Sequence, residues 1–460
     1  MAVCGIHVTS VETAQPSVRV ESYRSLCSTL LVLVVRLFSY SLLCGLEGAP
    51  MGSARSAQHT ETPVTPRREV WLAAWPVTAV FILSNTATPL YVLWQKELGF
   101  SSGMLTVVFA CYIVGLIAAL LVAGVVSDRV GRKPVLLPAL ALGVVASVLF
   151  ATAGSIVALA IARLLSGVAV GSIVSAGMAA VTDVAGPDRK RLAALLASTA
   201  MVLGAGLGPL LAGILSETLP GPTVTVFLVE IALLALAVLA VLRMPLRRPA
   251  AAPGPGAWVR PGAWVRVPSV PRANRVHLLL GIVVFAPGIT STSFVLSLGP
   301  SLLADLLGTT SRVVAGATAF VMFTAATAVQ FAVRRLRVGA ILTAGAASTA
   351  LAMASLALAV QLSSTPLLAL AAVLAGAGQG MGQLGGLTLI SAHVPAARLA
   401  EANAALNVGG YVPAGLLPVA VGYLSDAVGL SRGTTVFSAV VAAAALAGGA
   451  VVLANRRTTP

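Results

Sequence analysis

The sequence predicts an all-α integral membrane protein of twelve transmembrane helices, arranged as two pseudo-symmetric halves of six. Hydropathy, loop charge and an internal repeat carry that prediction. Of the 460 residues, 58% are hydrophobic and 9% are charged, and the mean hydropathy is +0.98, values that exclude an ordinary soluble protein. From Trp71 onward the chain divides into about twelve apolar stretches of about 20 residues, each long enough to cross a hydrocarbon core of about 30 Å as a helix. These spans use nearly the whole chain. The longest polar interval, Arg243 to Arg275, is rich in Pro, Gly and Arg, so no soluble catalytic domain fits and the chain does not read as an enzyme.

The net charge of +15 sits on alternate loops. One side holds Arg129, Arg132, Lys133, Arg189, Lys190, Arg191, the arginines between Arg243 and Arg275, Arg334, Arg335, Arg337, Arg398, Arg456 and Arg457; the other keeps Lys96, Arg312 and Arg432. This positive-inside asymmetry places the basic side and both termini in the cytoplasm, in a multi-pass protein of the cell membrane. It argues against nucleic acid as a partner, which would ask for one contiguous basic face.

An offset of 209 residues superposes irregular features of the two halves. Leu98-Gly99 with Ser101-Ser102 falls on Leu307-Gly308 with Thr310-Ser311, where hydroxyls can cap the next helix. Gly167 and Gly171 fall on Gly376 and Gly380, and Pro209, Gly213, Leu215, Ser216 and Glu217 fall on Pro418, Gly422, Leu424, Ser425 and Asp426. One offset serving three separated places indicates a duplication. The expected organisation is an amino-terminal extension at 1–68, a first half at 69–243, a cytoplasmic linker at 244–275 and a second half at 276–457.

Within the extension, residues 28–45 are apolar but interrupted by Arg36, and Met51 opens a polar tail ahead of helix 1. Translation is expected to start at Met51, with 1–50 a mis-assigned start. Cys4, Cys27 and Cys44 precede Met51 and Cys111 lies inside helix 2, a spacing that suits neither a disulfide framework nor a metal site. The linker repeats Gly256-Ala-Trp-Val-Arg260 as Gly262-Ala-Trp-Val-Arg266, which suits a lipid interface or a replicated flexible tether.

Helix 1, from about Trp71, carries Asn85. Between helices 2 and 3 lies the densest motif, Gly124-Val-Val-Ser-Asp128-Arg129-Val-Gly131-Arg132-Lys133-Pro-Val-Leu136. Its glycines let the backbone bend sharply, and Arg132 and Lys133 resist being drawn through the bilayer. Asp128 adds nothing to topology and asks for a partner. The spacing of Gly124, Asp128, Arg129, Gly131, Arg132 and Lys133 resembles the helix 2–3 loop signature of the major facilitator superfamily of secondary transporters. That resemblance covers about Trp71 to Arg457 and implies two parallel six-helix repeats around a central substrate site. It further implies that Asp128 faces the amino end of a helix in the other half, here the one opening near Glu401 to Asn403, and helps hold the cytoplasmic side shut. Asp183, Arg189 and Arg191, after helix 4, are similar to the charges that complete this latch. The alternative is that Arg129, Arg132 and Lys133 serve topology only.

Helix 4 contains Arg163. An arginine costs roughly 3 kcal/mol or more at a helix centre on insertion scales, so it faces a cavity or a partner unless it snorkels outward. With Gly167 it resembles the Arg-x-x-x-Gly pattern of proton-coupled members of the superfamily, and its copy position is Ala372, so packing does not require the charge. In helix 5, Gly204, Gly208, Pro209 and Gly213 are similar to the Gly-x-x-x-Gly-Pro signature of the antiporter and drug-export branch. Gly204 and Gly208 share a face for close helix contact and Pro209 bends the helix, although the stripe Gly378, Gly382, Gly386 in helix 10 shows that such packing alone implies no export. Helix 6 carries Glu230, either an inward proton carrier or a neutral acid held against another helix.

In the second half, Pro287 and Gly288 beside Thr290, Ser291, Thr292 and Ser293 predict a locally broken helix 7. Gln379 and Gln383 in helix 10, and Asn403, Asn407 and Tyr411 in helix 11, join Asn85 as polar faces on helices that line the cavity in the resembled family; each could instead bridge two helices. Residues and resemblance together imply a monomeric alternating-access carrier with no cofactor. The expected partners are the lipid bilayer, a small-molecule substrate and protons, with export of an amphipathic solute as the expected task. Uptake of a sugar, organic acid or amino acid by symport or facilitation is the alternative.

Overall fold

A computed structural model of the chain describes residues 67–186, 189–244, 246, 265, 267–305, 308, 311–333, 335–395 and 398–455. The expected start at Met51, the apolar stretch 28–45, nearly all of the tandem linker copy and the side chain of Arg191 lie outside what it describes. Twelve helices are long and apolar enough to cross a membrane: α1 (Glu69–Leu98), α2 (Ser102–Val130), α3 (Lys133–Ala151), α4 (Ile156–Ala185), α5 (Leu196–Thr218), α6 (Pro222–Arg243), α7 (Arg272–Asp305), α8 (Arg312–Val333), α9 (Val338–Gln361), α10 (Thr365–His393), α11 (Leu399–Val428) and α12 (Leu430–Ala454). Among the described residues there is no strand. Large apolar side chains such as Val114, Val157, Leu416 and Leu446 are exposed, as a surface solvated by lipid allows.

The two halves repeat one packing plan. In the first, α1 packs on α5, α2 on α4 and α3 on α6; in the second, α7 packs on α11, α8 on α10 and α9 on α12. The halves meet through α2 against α11 and α5 against α8. Small residues make these contacts possible. A Cβ on Gly376 would lie 2.1 Å from the Met322 carbonyl oxygen of α8, as one on Gly167 would lie 2.1 Å from that of Tyr112 in α2. The halves are not identical. α7 lies more closely on α10, where Gly382 and Gly386 face Phe285 and Gly281, than α1 lies on α4. The equivalent of Gly382 in α4 is Ile173, whose side chain holds α1 further off.

The expected break in helix 7 is not where the chain breaks. Arg275–Asp305 is one continuous helix through Pro287 and Pro300. Ser291 Oγ donates to the Gly288 carbonyl at 2.7 Å and Thr292 Oγ1 to that of Ile289 at 2.9 Å, so these hydroxyls satisfy helix carbonyls instead of opening the helix. The interruptions fall in α1 and α4. α1 is a helix at Arg67–Thr86, a 3-10 turn at Thr88–Leu90 and a second helix at Tyr91–Leu98. Pro89 has no N–H to continue the ladder, and the last carbonyls of the first piece lose their helical donors. α4 contains a π-turn at Ile173–Gly177. Such insertions occur frequently at functional sites.

Candidate functional site

The break in α1 prepares a site for Arg163. Ser84 lies in the last turn of the helix that ends at Thr86, and its carbonyl accepts from Arg163 Nη1 at 2.7 Å. A cation is favoured there because the carbonyl end of a helix is the negative end of its dipole. Arg163 is fully buried, which removes the snorkelling alternative. Its guanidinium carbon lies 5.0 Å from the ring centre of Tyr91 in α1, 5.8 and 5.9 Å from Phe109 and Tyr112 in α2, and 5.7 Å from Phe150 in α3. Four helices thus converge on one charge, and their aromatic faces replace part of its lost hydration. Nε and Nη2 have no hydrogen-bond partner. The Arg-x-x-x-Gly spacing has a direct physical meaning: Gly167, one turn beyond Arg163, admits the α2 backbone at Tyr112 and so brings Phe109 and Tyr112 to the guanidinium.

Sequence reasoning missed these rings. Aromatic residues in apolar spans read as core, and only their convergence on a buried cation distinguishes them. A further stack continues outward from the site: Phe150 lies 4.9 Å from Phe227 and 5.8 Å from Trp94, centre to centre. Glu230, one turn beyond Phe227 in α6, is 2% exposed and packs beside Leu83 of α1, with Oε1 unpartnered. Leu83 and Ser84 are adjacent, so consecutive residues of α1 neighbour the carboxyl and the guanidinium.

The remaining polar residues divide. Asn85 Nδ2 donates to Ser84 Oγ at 2.9 Å and reaches the Ala205 carbonyl of α5 at 3.5 Å, so it bridges two helices. Asn407 Nδ2 donates to the Asn403 carbonyl within its own helix at 3.0 Å. Asn403, Gln383 and Gln379 are half-buried, and the Gln379 Oε1 is buried without a partner. Tyr411 meets Phe285 edge-on at 6.3 Å and lies within electrostatic reach of Tyr112 across the interface between the halves.

The charged turn forms a connected network. Gly131 adopts φ 98°, a left-handed region where any other residue would be strained, and the preceding Gly124 is buried in α2. Arg132 is the hub: Nη1 meets Asp128 at 2.5 Å and Ser127 Oγ at 3.1 Å, while Nε meets Asp183 of α4 at 2.9 Å. Partial burial works against its charge, and hydrogen bonds and attraction from Asp183 and Asp128 outweigh this, so its pKa stands above the ordinary arginine value. Lys133 Nζ donates to the Leu242 carbonyl at the end of α6 at 2.9 Å, a tie beyond topology, and Arg129 is half-buried. Across the interface, Glu401 is engaged by Arg398 at 2.7 Å and by Ser269 Oγ at 2.7 Å.

These ties predict unequal effects. Asp128→Asn removes one largely exposed ion pair, for which about 0–1 kcal/mol is expected. Arg132→Ala releases Asp128, Asp183 and Ser127 together and is expected to lower the unfolding temperature more than Asp128→Asn and Asp183→Asn combined. Thermal unfolding of the three purified variants checks the order.

In α5, a Cβ on Gly204 would meet the Thr78 carbonyl at 2.5 Å and one on Gly208 the Ile82 carbonyl at 2.1 Å, so both hold α1. Pro209 and Gly213 face the other half instead. The Pro209 carbonyl packs against Gly316, and a Cβ on Gly213 would lie 2.4 Å from the Arg312 carbonyl.

The family model described as Major Facilitator Superfamily matches residues 70–418, which span α2 to α10 in full, nearly all of α1 and two thirds of α11. The chain belongs to the major facilitator superfamily. Its family and its structural neighbours are transporters, not enzymes. Two curated relatives are the multidrug resistance protein MdtL of Klebsiella pneumoniae subsp. pneumoniae, 35% identical over 96 residues, and MdtL of Escherichia coli, 37% identical over 95 residues. Each match covers 21% of this chain and about a quarter, 24%, of the relative. The fold is similar to the crystal structure of the nucleoside transporter NupG, with a TM-score of 0.64 and 14% identity over 83% of this chain and 99% of that one. It is also similar to a bacterial homologue of the human lysosomal transporter Spinster in an inward-facing and occupied conformation, with a TM-score of 0.63 and 14% identity over 87% of this chain and 98% of that one. At these identities the two structures share the superfamily fold alone.

Proposed function

We propose that this superfamily member is a secondary active exporter, working by alternating access, that moves amphipathic small molecules out of the cell against an inward flow of protons. The observation that carries the reading is Arg163: a fully buried guanidinium, boxed by four rings and left with two unpartnered nitrogens, in a chain whose repeat puts alanine at the same position. A charge so expensive in a bilayer is retained where it acts on a substrate or a coupling ion. Arginine itself stays protonated, so its part is to attract or repel the groups that do change charge. The aromatic walls favour a largely apolar solute, and the partial similarity to MdtL, a multidrug resistance protein, favours export. The basic face is cytoplasmic in this reading, and the protein acts as a monomer in the cell membrane.

Inside-out vesicles with a respiration-generated acidic lumen, reported by a pH-sensitive dye, test the proposal. Addition of an exported solute should release protons from the lumen, and control vesicles should stay silent. Silence across a chemically diverse panel would remove export by antiport and leave uptake or facilitation. Glu230→Gln is expected to retain the response, because the acid is enclosed between α6 and α1 and glutamine keeps its shape. Loss of the response with normal folding would instead make Glu230 the proton carrier.

A further inference from the structure

Hydrogen bonds cross the interface between the halves at the face opposite the charged turn, and two of the groups making them are copies of each other. Asp426, in the last turn of α11, accepts from the Ser102 backbone N–H with Oδ1 at 3.0 Å and from that of Gly103 with Oδ2 at 3.0 Å, at the start of α2. Glu217, in the last turn of α5, accepts from the Arg312 backbone N–H and, at 3.2 Å, from that of Val313 at the start of α8. Glu217 and Asp426 are related by the 209-residue repeat. Each carboxylate therefore sits on the exposed, positive amino end of a helix from the other half.

The surroundings repeat as well. Ser101 Oγ takes the N–H of Met104 and, one residue out of the 209-residue register, Ser311 Oγ takes that of Val314, so the serine of the same half and the acid of the opposite half divide the first N–H groups of each helix between them. Gly422 and Gly213, one turn before the acids, let the backbones close: a Cβ on Gly422 would lie 3.0 Å from Gly103 Cα, and one on Gly213 would lie 3.0 Å from Val313 Cα. At the Glu217 copy, Arg312 Nη2 also donates to the Ser216 carbonyl at 2.8 Å. Tightly packed helices with mated polar ends make a contact that is either fully formed or absent.

We infer that Glu217 and Asp426 are the paired gating residues of this transporter, holding the face opposite the charged turn shut by capping α8 and α2 across the interface. They touch no group near Arg163 and act by setting which face is open. The inference rests on the alternating-access reading, since a latch needs two faces to choose between. It also assigns a role to the pair of acids that the repeat alone leaves unexplained. The cost of opening is the simultaneous loss of four charge-assisted hydrogen bonds. A cavity of about 510 Å³ lined by Lys96, Glu217, Arg312 and Pro300 borders the Glu217 copy, so water reaches this side of the latch.

The test measures the gap directly. Spin labels are placed on Glu97→Cys and Gln361→Cys, exposed positions at this face in the two halves, in full-length protein whose native cysteines are replaced by serine, and pulsed dipolar distances are recorded in nanodiscs. The parent should give a predominantly short distance. Glu217→Gln with Asp426→Asn should raise the long-distance population, by roughly fivefold for each carboxylate neutralised. Asp426→Glu, which keeps the charge, should remain closed. An unmoved distribution in the double variant, or opening by Asp426→Glu as large as by Asp426→Asn, overturns the latch. Solute transport by the same variants separates the two claims: opening without any transported solute keeps the latch and removes the exporter reading, while transport with an unmoved gap does the reverse.

Discussion

Arg163→Ala is expected to reduce solute-driven proton release to the level of vesicles lacking the protein, with the protein still folded in the membrane. The fold survives because the equivalent position in the second half is already alanine, Ala372, and the helix packing there is intact. A cavity remains among Tyr91, Phe109, Tyr112 and Phe150, and the loss of cation–ring attraction, about 2 kcal/mol when desolvated, is offset by relief from burying a charge. Arg163→Lys should not restore transport. An ammonium is a point charge and cannot reach the Ser84 carbonyl while presenting a flat face to four rings. Full transport by the alanine variant, measured with the dye assay at matched protein levels, would show that the buried charge is a packing element and would take the central support from the proposed mechanism.

Gly208→Val is expected to have the largest effect on stability. The new Cβ would meet the Ile82 carbonyl oxygen at 2.1 Å, against backbone that cannot rotate away, so α1 and α5 must separate. Overpacking of this kind costs about 1–3 kcal/mol and sometimes more. The displacement also reaches the site, because Ile82 is two residues before the Ser84 that holds Arg163 and three before the Asn85 that reaches α5. Poor recovery from detergent and an unfolding temperature lower by several degrees should result. Gly154→Ala, where a Cβ meets nothing within 4 Å, is the matched control and should be neutral. Equal behaviour of the two variants would mean that α5 has slack and that its glycines are not packing residues.

The charged turn shows what a linear pattern can carry. Gly131 had to be glycine because the chain reverses there with φ 98°, and that need is local enough to be legible in the spacing of the motif. The partners of Arg132 were only half legible. Asp128 is four residues away on the same segment, but Asp183 lies on α4, and its contact depends on how α2 and α4 pack. Helix 7 illustrates the opposite error. A proline beside a glycine and four hydroxyls reads as a break, yet those hydroxyls donate to the helix carbonyls and α10 lies against the segment, so the helix stays whole.

Sequence by itself determined the twelve spans, the gathering of basic residues on alternate loops, the 209-residue repeat and the presence of a costly arginine in the fourth span. Each of these is set within one stretch of chain, by the length of an apolar run, the identity of a loop or a repeat of residues. Tertiary structure alone decided that four rings from three helices surround Arg163, that Asn85 reaches the Ala205 carbonyl of α5, and that Glu217 and Asp426 cap helices of the opposite half. The physical reason is the distance along the chain over which the partners act. In a bilayer every backbone group inside a helix is satisfied locally, so spans can be read from sequence, whereas a side chain or a helix end finds its partner only after helices from distant segments have packed.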